Sequence, residues 1–349
     1  MKFDVFLPSL LVPPDWFADV DPPRLPAIEM LLARGESSVG GEWPNLLLHA
    51  FGAAVNEGSQ GIAAFSALGE AIETGDYGWM FAEPAHFQAD RDTLNLIPAS
   101  QLDITTSESA QLIVALNANF VDRGLMFVQG ASGTYYVRCS VDELPQTTSI
   151  RAARRGALFE KLPQSRGKLS WKAIQNEAQM LLHSHAVNDP REATGKLTIN
   201  GLWFWGEGTL PKTSTSLKPS IGTVFGDIAL ARGLAKWAHV PFAPLAYLKI
   251  VDIAANADHN VLVIDGLTNT YERGDTAAWR ETAARLDAQI FAPLIASLRE
   301  GTIDEVILCL PRDRDSLVIT INSQSLRGLA GWWKDLTQKT HPFLELTVA

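Results

Sequence analysis

The sequence predicts an α/β fold built on a largely parallel sheet. Three observations carry that expectation: short apolar runs closed by proline or glycine, amphipathic stretches that follow them, and the return of this strand-then-helix rhythm at both ends of the chain. The first run, Phe3 to Val12, is largely apolar, as expected for a central strand buried on both faces. In PRLPAIEMLLARG, Leu25, Ile28, Leu31 and Leu32 fall at helical spacing, and Gly35 is placed to end the helix in a left-handed cap.

Between about Tyr77 and Cys139 the rhythm changes. FAEPAHFQADRDTLNLIP, a helix over SESAQLIVALNANFVDRG, and then LMFV and TYYVRC make the pattern of a small α+β module. Its helix starts at Thr106 or Ser107 ahead of Glu108 and carries an apolar stripe of Leu112, Leu116 and Phe120. From about Pro145 to Arg166 the chain is polar and reads as an exposed connection. Helix Trp171 to His183 then leads to LTINGLWFWGEG, followed by strand-like LAYLKIVDI and NVLVID, a helix from Thr276 to Arg299, and EVILCL with SLVITI. This organisation gives a core from 1–75 and 142–349 and an inserted module at 76–141.

Composition narrows the function. The 349 residues are 46% hydrophobic and 19% charged, which suits a substantial core. A formal charge of -10, with no basic run longer than Arg154-Arg155, argues against nucleic acid and anionic membrane as partners. Two cysteines, Cys139 and Cys309, in apolar or strand-like runs support neither a disulfide framework nor a thiolate metal site, and fit a reducing cytoplasm. The opening MKFDVFLPSLLVP lacks the order of a secretory signal, and no apolar stretch has the length of a membrane span.

Several constellations could carry chemistry. His86, Gln88, Asp90 and Asp92 alternate and so share one face of a strand, able to meet a metal or sugar-phosphate or simply to face solvent. His183 and His185 end a helix beside Asn188 and Arg191. There the histidines can meet the terminal carbonyls, and Arg191 can offer a two-pronged donor to phosphate or carboxylate. In the run from Asn200 to Gly208, Gly206 and Gly208 flank Glu207 at the end of an apolar strand, where open α/β sheets bind ligands, whereas Trp203 and Trp205 read as core packing. Asp258-His259 and Asp265 could supply part of a metal site.

Three segments together resemble the cofactor-independent, archaeal-type phosphoglycerate mutases of the alkaline phosphatase superfamily. They are LPAIEMLLARG; PAHFQADRDTLNL with SESAQLIVALNANF and Tyr135 to Arg138; and AVNDPREATGKLTINGLWFWGEGTLP, with Asn188, Arg191, Asn200 and the Trp-Phe-Trp-Gly-Glu-Gly run. The resemblance implies a three-layer alkaline-phosphatase-like α/β core with a small α+β insertion, and a two-metal site for phosphoryl transfer. It also implies an Asp-Gly ending the first strand, where this chain has Pro8-Ser9-Leu10, and an Arg-Cys-Asn in the insertion, where it has Gln88-Ala89-Asp90. Asp258-His259, Asp265-Gly266 and PRDRDS do not reproduce the family's late ligand runs, and Ser37 and Ser38 are unsupported as the nucleophile.

The resulting expectation is a phosphoglycerate-mutase-like protein without two-metal chemistry, holding no metal and acting as a binding or regulatory module for a small phosphorylated or anionic ligand. Its ligand-binding residues would be His86, Gln88, Asp90, Asn188, Arg191, Asn200, Gly206, Glu207 and Gly208. The alternative is a phosphotransferase or phosphomutase using manganese or zinc in an altered site.

Overall fold

The computed structural model describes residues 1–53, 61–90, 93–153, 158–211, 221–248, 250, 258–312 and 315–327. Their strands, in chain order, are β1 (Lys2–Phe6), β2 (Glu36–Gly40), β3 (Gly78–Asp90), β4 (Thr93–Pro98), β5 (Met126–Gln129), β6 (Tyr135–Cys139), β7 (Gly201–Gly208), β8 (Ile221–Gly226), β9 (Phe242–Ala243), β10 (His259–Val263), β11 (Glu305–Pro311) and β12 (Ser316–Asn322). They fall into two compact units. One comprises the described residues of Met1–Gly52, Ser216–Ala231 and Ala238–Ala349; the other comprises those of Ala53–Thr215 with Arg232–Trp237.

The first unit is an α/β sandwich. Its sheet runs β2-β12-β11-β1-β10-β8-β9, with β1 parallel to both β10 and β11 and β12 alone running against the others, antiparallel to both β11 and β2. Strand alternation explains why both faces are covered. Phe3, Val5 and Leu7 enter one apolar cluster with Ile28 and Leu31 of helix Pro26–Arg34 and with Trp279, Phe291 and Leu294 of the stretch 276–300. Phe6, pointing the other way, meets the ring of Trp43 at 6.5 Å, at the start of helix Trp43–Ala50. Helix, sheet and helix are therefore the three layers.

Several local expectations are corrected. The first strand stops at Phe6, because Pro8 removes a donor and Ser9 turns into the left-handed region with φ 61°. Gly35 is extended, with φ -75° and ψ 155°. It is small because helix Pro26–Arg34 passes directly into β2, where a Cβ would collide with Ile319 of β12. The run LAYLKIVDI gives a 3-10 turn at Leu245–Tyr247 where a strand was expected, and 251–257 lie outside the described residues. The helix from Thr276 is interrupted by a π-helical segment, Asp287–Phe291. That segment aims the Asp287 carboxylate at the amino end of helix Pro26–Arg34, where Ile28 N donates to Oδ1 at 2.8 Å and Ala27 N to Oδ2 at 3.2 Å.

One buried residue of this unit breaks the pattern. Asn260 in β10 is fully buried, and neither its amide nitrogen nor its oxygen has a hydrogen-bond partner among the described residues. A buried amide without partners costs roughly 1–3 kcal/mol. Asn260→Leu, near in volume, is expected to raise the denaturant midpoint; a fall would mean that the amide has a partner in solution.

The second unit is α+β. Its sheet runs β4-β3-β6-β5, and β7 adds to β3 antiparallel from Trp79↔Gly208 to Ala85↔Gly201. Met80, Ala82, Leu202 and Phe204 face helices Thr106–Phe120 and Trp171–His183, whose Leu112, Leu116, Trp171 and Ile174 complete that cluster. Trp203 and Phe87 point to the other face, against Ala153 and Leu158. The stretch 76–141 thus shares one sheet and one core with β7 and helix Trp171–His183. The segment expected as an exposed connection contributes buried Ala153 and Leu158 and pairs Gln146 with Gln164. Helix Thr106–Phe120 is capped one residue earlier than expected, by Thr105, whose Oγ1 accepts from Glu108 N while Glu108 accepts from Thr105 N.

Candidate functional site

Two places concentrate polar groups on ordered backbone. In the first unit it is the carboxyl edge of the parallel strands, where open α/β sheets bind their ligands. After β1, Ser9 is buried, its carbonyl accepting from Trp279 Nε1 at 2.8 Å and its hydroxyl 3.3 Å from that of Thr268. Thr268 in turn donates to Asp265 Oδ1 at 2.6 Å, just beyond β10. This corner is a chain of hydroxyls ending on one carboxylate.

Asp258-His259 lies at the opposite end of the same strand. His259 Nε2 is 2.9 Å from Asp4 Oδ2, and Lys2 Nζ is 3.4 Å from Asp4 Oδ1. The five-residue strand β10 separates this pair from Asp265, by about 20 Å at the rise of an extended chain, so the two cannot share an ion. Among the described residues there is no group of three or more His, Cys, Asp or Glu placed to hold a metal. Ser37 and Ser38 lie on β2, the exposed edge strand. Cys139 and Cys309 are buried and unpaired, and burial pushes their thiols up, to about 12 and about 11, so neither is a ready thiolate.

In the second unit the sequence candidates are brought together, but by the backbone. Asn188 Oδ1 accepts from Ile199 N at 2.8 Å, and its Nδ2 donates to the carbonyls of Leu182 at 2.8 Å and Ile199 at 3.1 Å. Asn200 does the same for Phe87: its Oδ1 accepts from Phe87 N at 2.7 Å and its Nδ2 donates to Phe87 O at 3.1 Å, adding one side-chain rung where β7 begins. Arg191 is 2% exposed. Its Nε donates to Leu197 O at 2.7 Å, one terminal nitrogen to Glu108 Oε1 at 2.9 Å and the other to Leu102 O. The three residues clamp the connection into β7, ahead of the strand they were expected to serve as ligand contacts.

Glu207 is the remaining buried acid of that run. Thr147 donates to it from both N and Oγ1, and Gly61 N donates to its carbonyl. Gly206 beside it has φ 72°, and a Cβ there would press on the Phe81 ring, so glycine is required on both counts. Burial pushes the Glu207 carboxyl above the usual glutamate value, outweighing the Thr147 hydrogen bonds and nearby Arg166. A raised carboxyl binds its proton more tightly folded than unfolded, so stability falls as pH rises through the folded value. Glu207→Gln is therefore expected to raise the melting temperature at neutral pH and to leave it unchanged in acid; equal shifts at both would contradict the assignment. Gly208, at φ 149°, ends β7 opposite Trp79. His86 Nδ1 lies 2.9 Å from Thr198 O, Gln88 is exposed, and the Asp90 side chain and Asp92 lie outside what the structure describes. Thr147 was not singled out in the sequence; a lone threonine in a polar stretch carries no signal until the strand it caps is known.

No family profile matches the chain. Over 151 residues it is 24% identical to a probable 2,3-bisphosphoglycerate-independent phosphoglycerate mutase of Geobacter sulfurreducens, covering 41% of this chain and 37% of that protein. Over 153 residues it is 29% identical to 2,3-bisphosphoglycerate-independent phosphoglycerate mutase 2 of Methanothermobacter thermautotrophicus, covering 40% and 37%. Over these segments the chain is similar in sequence to 2,3-bisphosphoglycerate-independent phosphoglycerate mutases. Each match spans little more than a third of the curated relative's length. A solved structure of a Pyrococcus horikoshii protein superposes with a TM-score of 0.50 at 14% identity, covering 99% of this chain and 97% of that one, which supports the fold. A cofactor-independent phosphoglycerate mutase of Thermoplasma acidophilum gives 0.42 at 15% identity, covering 92% and 89%. No helix among the described residues is long and apolar enough to cross a membrane.

Proposed function

We propose that this protein is a phosphoglycerate-mutase-like binding or regulatory module that retains the fold without the two-metal phosphotransfer chemistry. The observation that carries the reading is the turn after β1. Where the resemblance implies a metal-ligating Asp-Gly, Ser9 is buried, held by Trp279 and hydrogen-bonded to Thr268. A serine hydroxyl committed to a threonine is a poor substitute for a metal-ligating carboxylate, and Asp265 stands a strand's length from His259. The described residues do not fit a two-metal centre.

We place the protein in the cytoplasm, in keeping with its two unpaired, buried thiols. The ligand class we favour is a small phosphorylated or anionic molecule, with Gln88 and His86 of β3 as the first contacts to test. The test uses purified protein with manganese or zinc added, measuring bound metal and interconversion of 3- and 2-phosphoglycerate. The expected result is no metal-dependent turnover, with 3-phosphoglycerate and related anions scored separately as ligands by thermal shift. Two bound ions per chain together with turnover would overturn the reading in favour of a metal-dependent phosphomutase.

A further inference from the structure

Three asparagines of the second unit use the side-chain amide as a substitute for a strand. Asn188 and Asn200 do so within the connection to β7. The third, Asn117, does so at a sheet edge. Its Oδ1 accepts from Phe127 N at 2.8 Å and its Nδ2 donates to Phe127 O at 2.9 Å. Phe127 belongs to β5, the terminal strand of the order β4-β3-β6-β5, which pairs only with β6 among the described residues. Its amide and carbonyl therefore face the open side, and helix Thr106–Phe120 reaches across to occupy them.

An open edge offers unpaired N–H and C=O groups to any extended chain, and an antiparallel strand can always pair with its own copy about a two-fold axis. The surroundings of this edge favour such pairing. Met126 of β5 is 44% exposed, and Val114, three before Asn117 on the helix, and Val121, just past the helix end, are 70% and 62% exposed. No lysine, proline or inward charge lies within β5, whose sequence is MFVQ. We infer that Asn117 is an edge guard: by standing in for a neighbouring strand at Phe127, it keeps β5 from pairing with β5 of a second copy.

The test compares molar mass in solution, by light scattering over a concentration series, for wild type and Asn117→Ala. The expected result is a concentration-dependent rise to about twice the wild-type mass, reversed when Met126→Lys is added to place a charge on the edge. Asn188→Ala, which removes the same kind of amide bonds to Ile199 and one to Leu182 O, outside any strand, should lower the melting temperature without changing the mass. Should Asn117→Ala lose its cooperative melt, Asn117→Ser, too short to span both backbone groups, is read in its place. A folded Asn117 variant with the wild-type mass at every concentration would overturn the inference, as would a mass increase that Met126→Lys leaves unchanged.

Discussion

Arg191→Ala is expected to lower the stability of the protein by about 3–5 kcal/mol, the range for removing one partner of a buried charge pair. The guanidinium holds Leu102 O and Leu197 O and neutralises Glu108, so its loss takes the donor from two carbonyls and from one oxygen of the carboxylate. As the donor to phosphate or carboxylate that the sequence suggests, Arg191 would give a different outcome, loss of an anion response with the unliganded melting temperature barely moved. The two are separated by a single melt without ligand. An unchanged melting temperature would return Arg191 to the list of candidate ligand contacts.

The effect should also depend on pH. Burial raises the Glu108 carboxyl, but hydrogen bonds from Thr105 and Arg191, with the arginine's charge, outweigh it and hold the group below the usual 4.5. A depressed folded value means that the contribution is present above the unfolded value and is lost as pH falls through the folded one. Wild type and Arg191→Ala should therefore converge in acid. A difference constant with pH would mean that the carbonyl bonds alone account for the loss.

Deletion of residues 76–141, with the ends joined by a short glycine linker, is expected to abolish cooperative unfolding of what remains of the second unit. The deletion removes β3, the partner of β7 along its length, and strips Met80, Ala82, Leu112, Leu116, Phe120 and Phe127 from a core that also contains Trp171, Ile174, Leu202 and Phe204. Large-to-small changes in such cores cost roughly 2–5 kcal/mol each, so losing these side chains together with the rest of the segment's share of the core exceeds the stability of an ordinary domain. Retained cooperative melting, with the near-ultraviolet signal of the buried Trp171 and Trp203, would show that 76–141 is a separable module after all.

The parts of the fold most legible in the sequence were those set by hydrophobic periodicity. The α/β character followed from FDVFL, NVLVI and EVILCL, which became the three central parallel strands. The helix carrying Leu112, Leu116 and Phe120 was visible to within one residue at its cap. What periodicity could not show was partnership between distant segments. β3 and β7 are each plausible strands, but nothing local says that they pair, so the stretch from 142 to 211 was read as core that belonged elsewhere. The π-helical step at Asp287 was equally hidden, because its purpose is a hydrogen bond to Ile28, 259 residues away.

The candidate site was less legible for a related reason. Asn188, Arg191 and Asn200 stand out in the sequence as polar residues in an apolar setting, which is also how ligand contacts stand out. Both roles demand hydrogen-bonding side chains at fixed positions. Only the fold shows that the groups they meet are backbone carbonyls and amides and, for Arg191, the Glu108 carboxylate of this same chain. Glu207 is the exception: its acid between two glycines was singled out, and it is a buried carboxyl with a raised proton affinity.

The order of the central sheet also bears on how the chain is made. β1 lies between β10 and β11, and its Asp4 meets His259 across 255 residues of sequence. The second unit, by contrast, is nearly contiguous, from Ala53 to Thr215 with one short return at Arg232–Trp237. During synthesis, at roughly 5–20 residues per second, β1 would wait on the order of ten seconds or longer for a neighbour while the second unit already has most of its chain. Non-local strands of this kind form slowly and stay exposed meanwhile. FDVFLPSLLV is therefore the segment for which a holding chaperone would matter most, and the step at which β10 and β11 enclose it is the natural bottleneck of assembly.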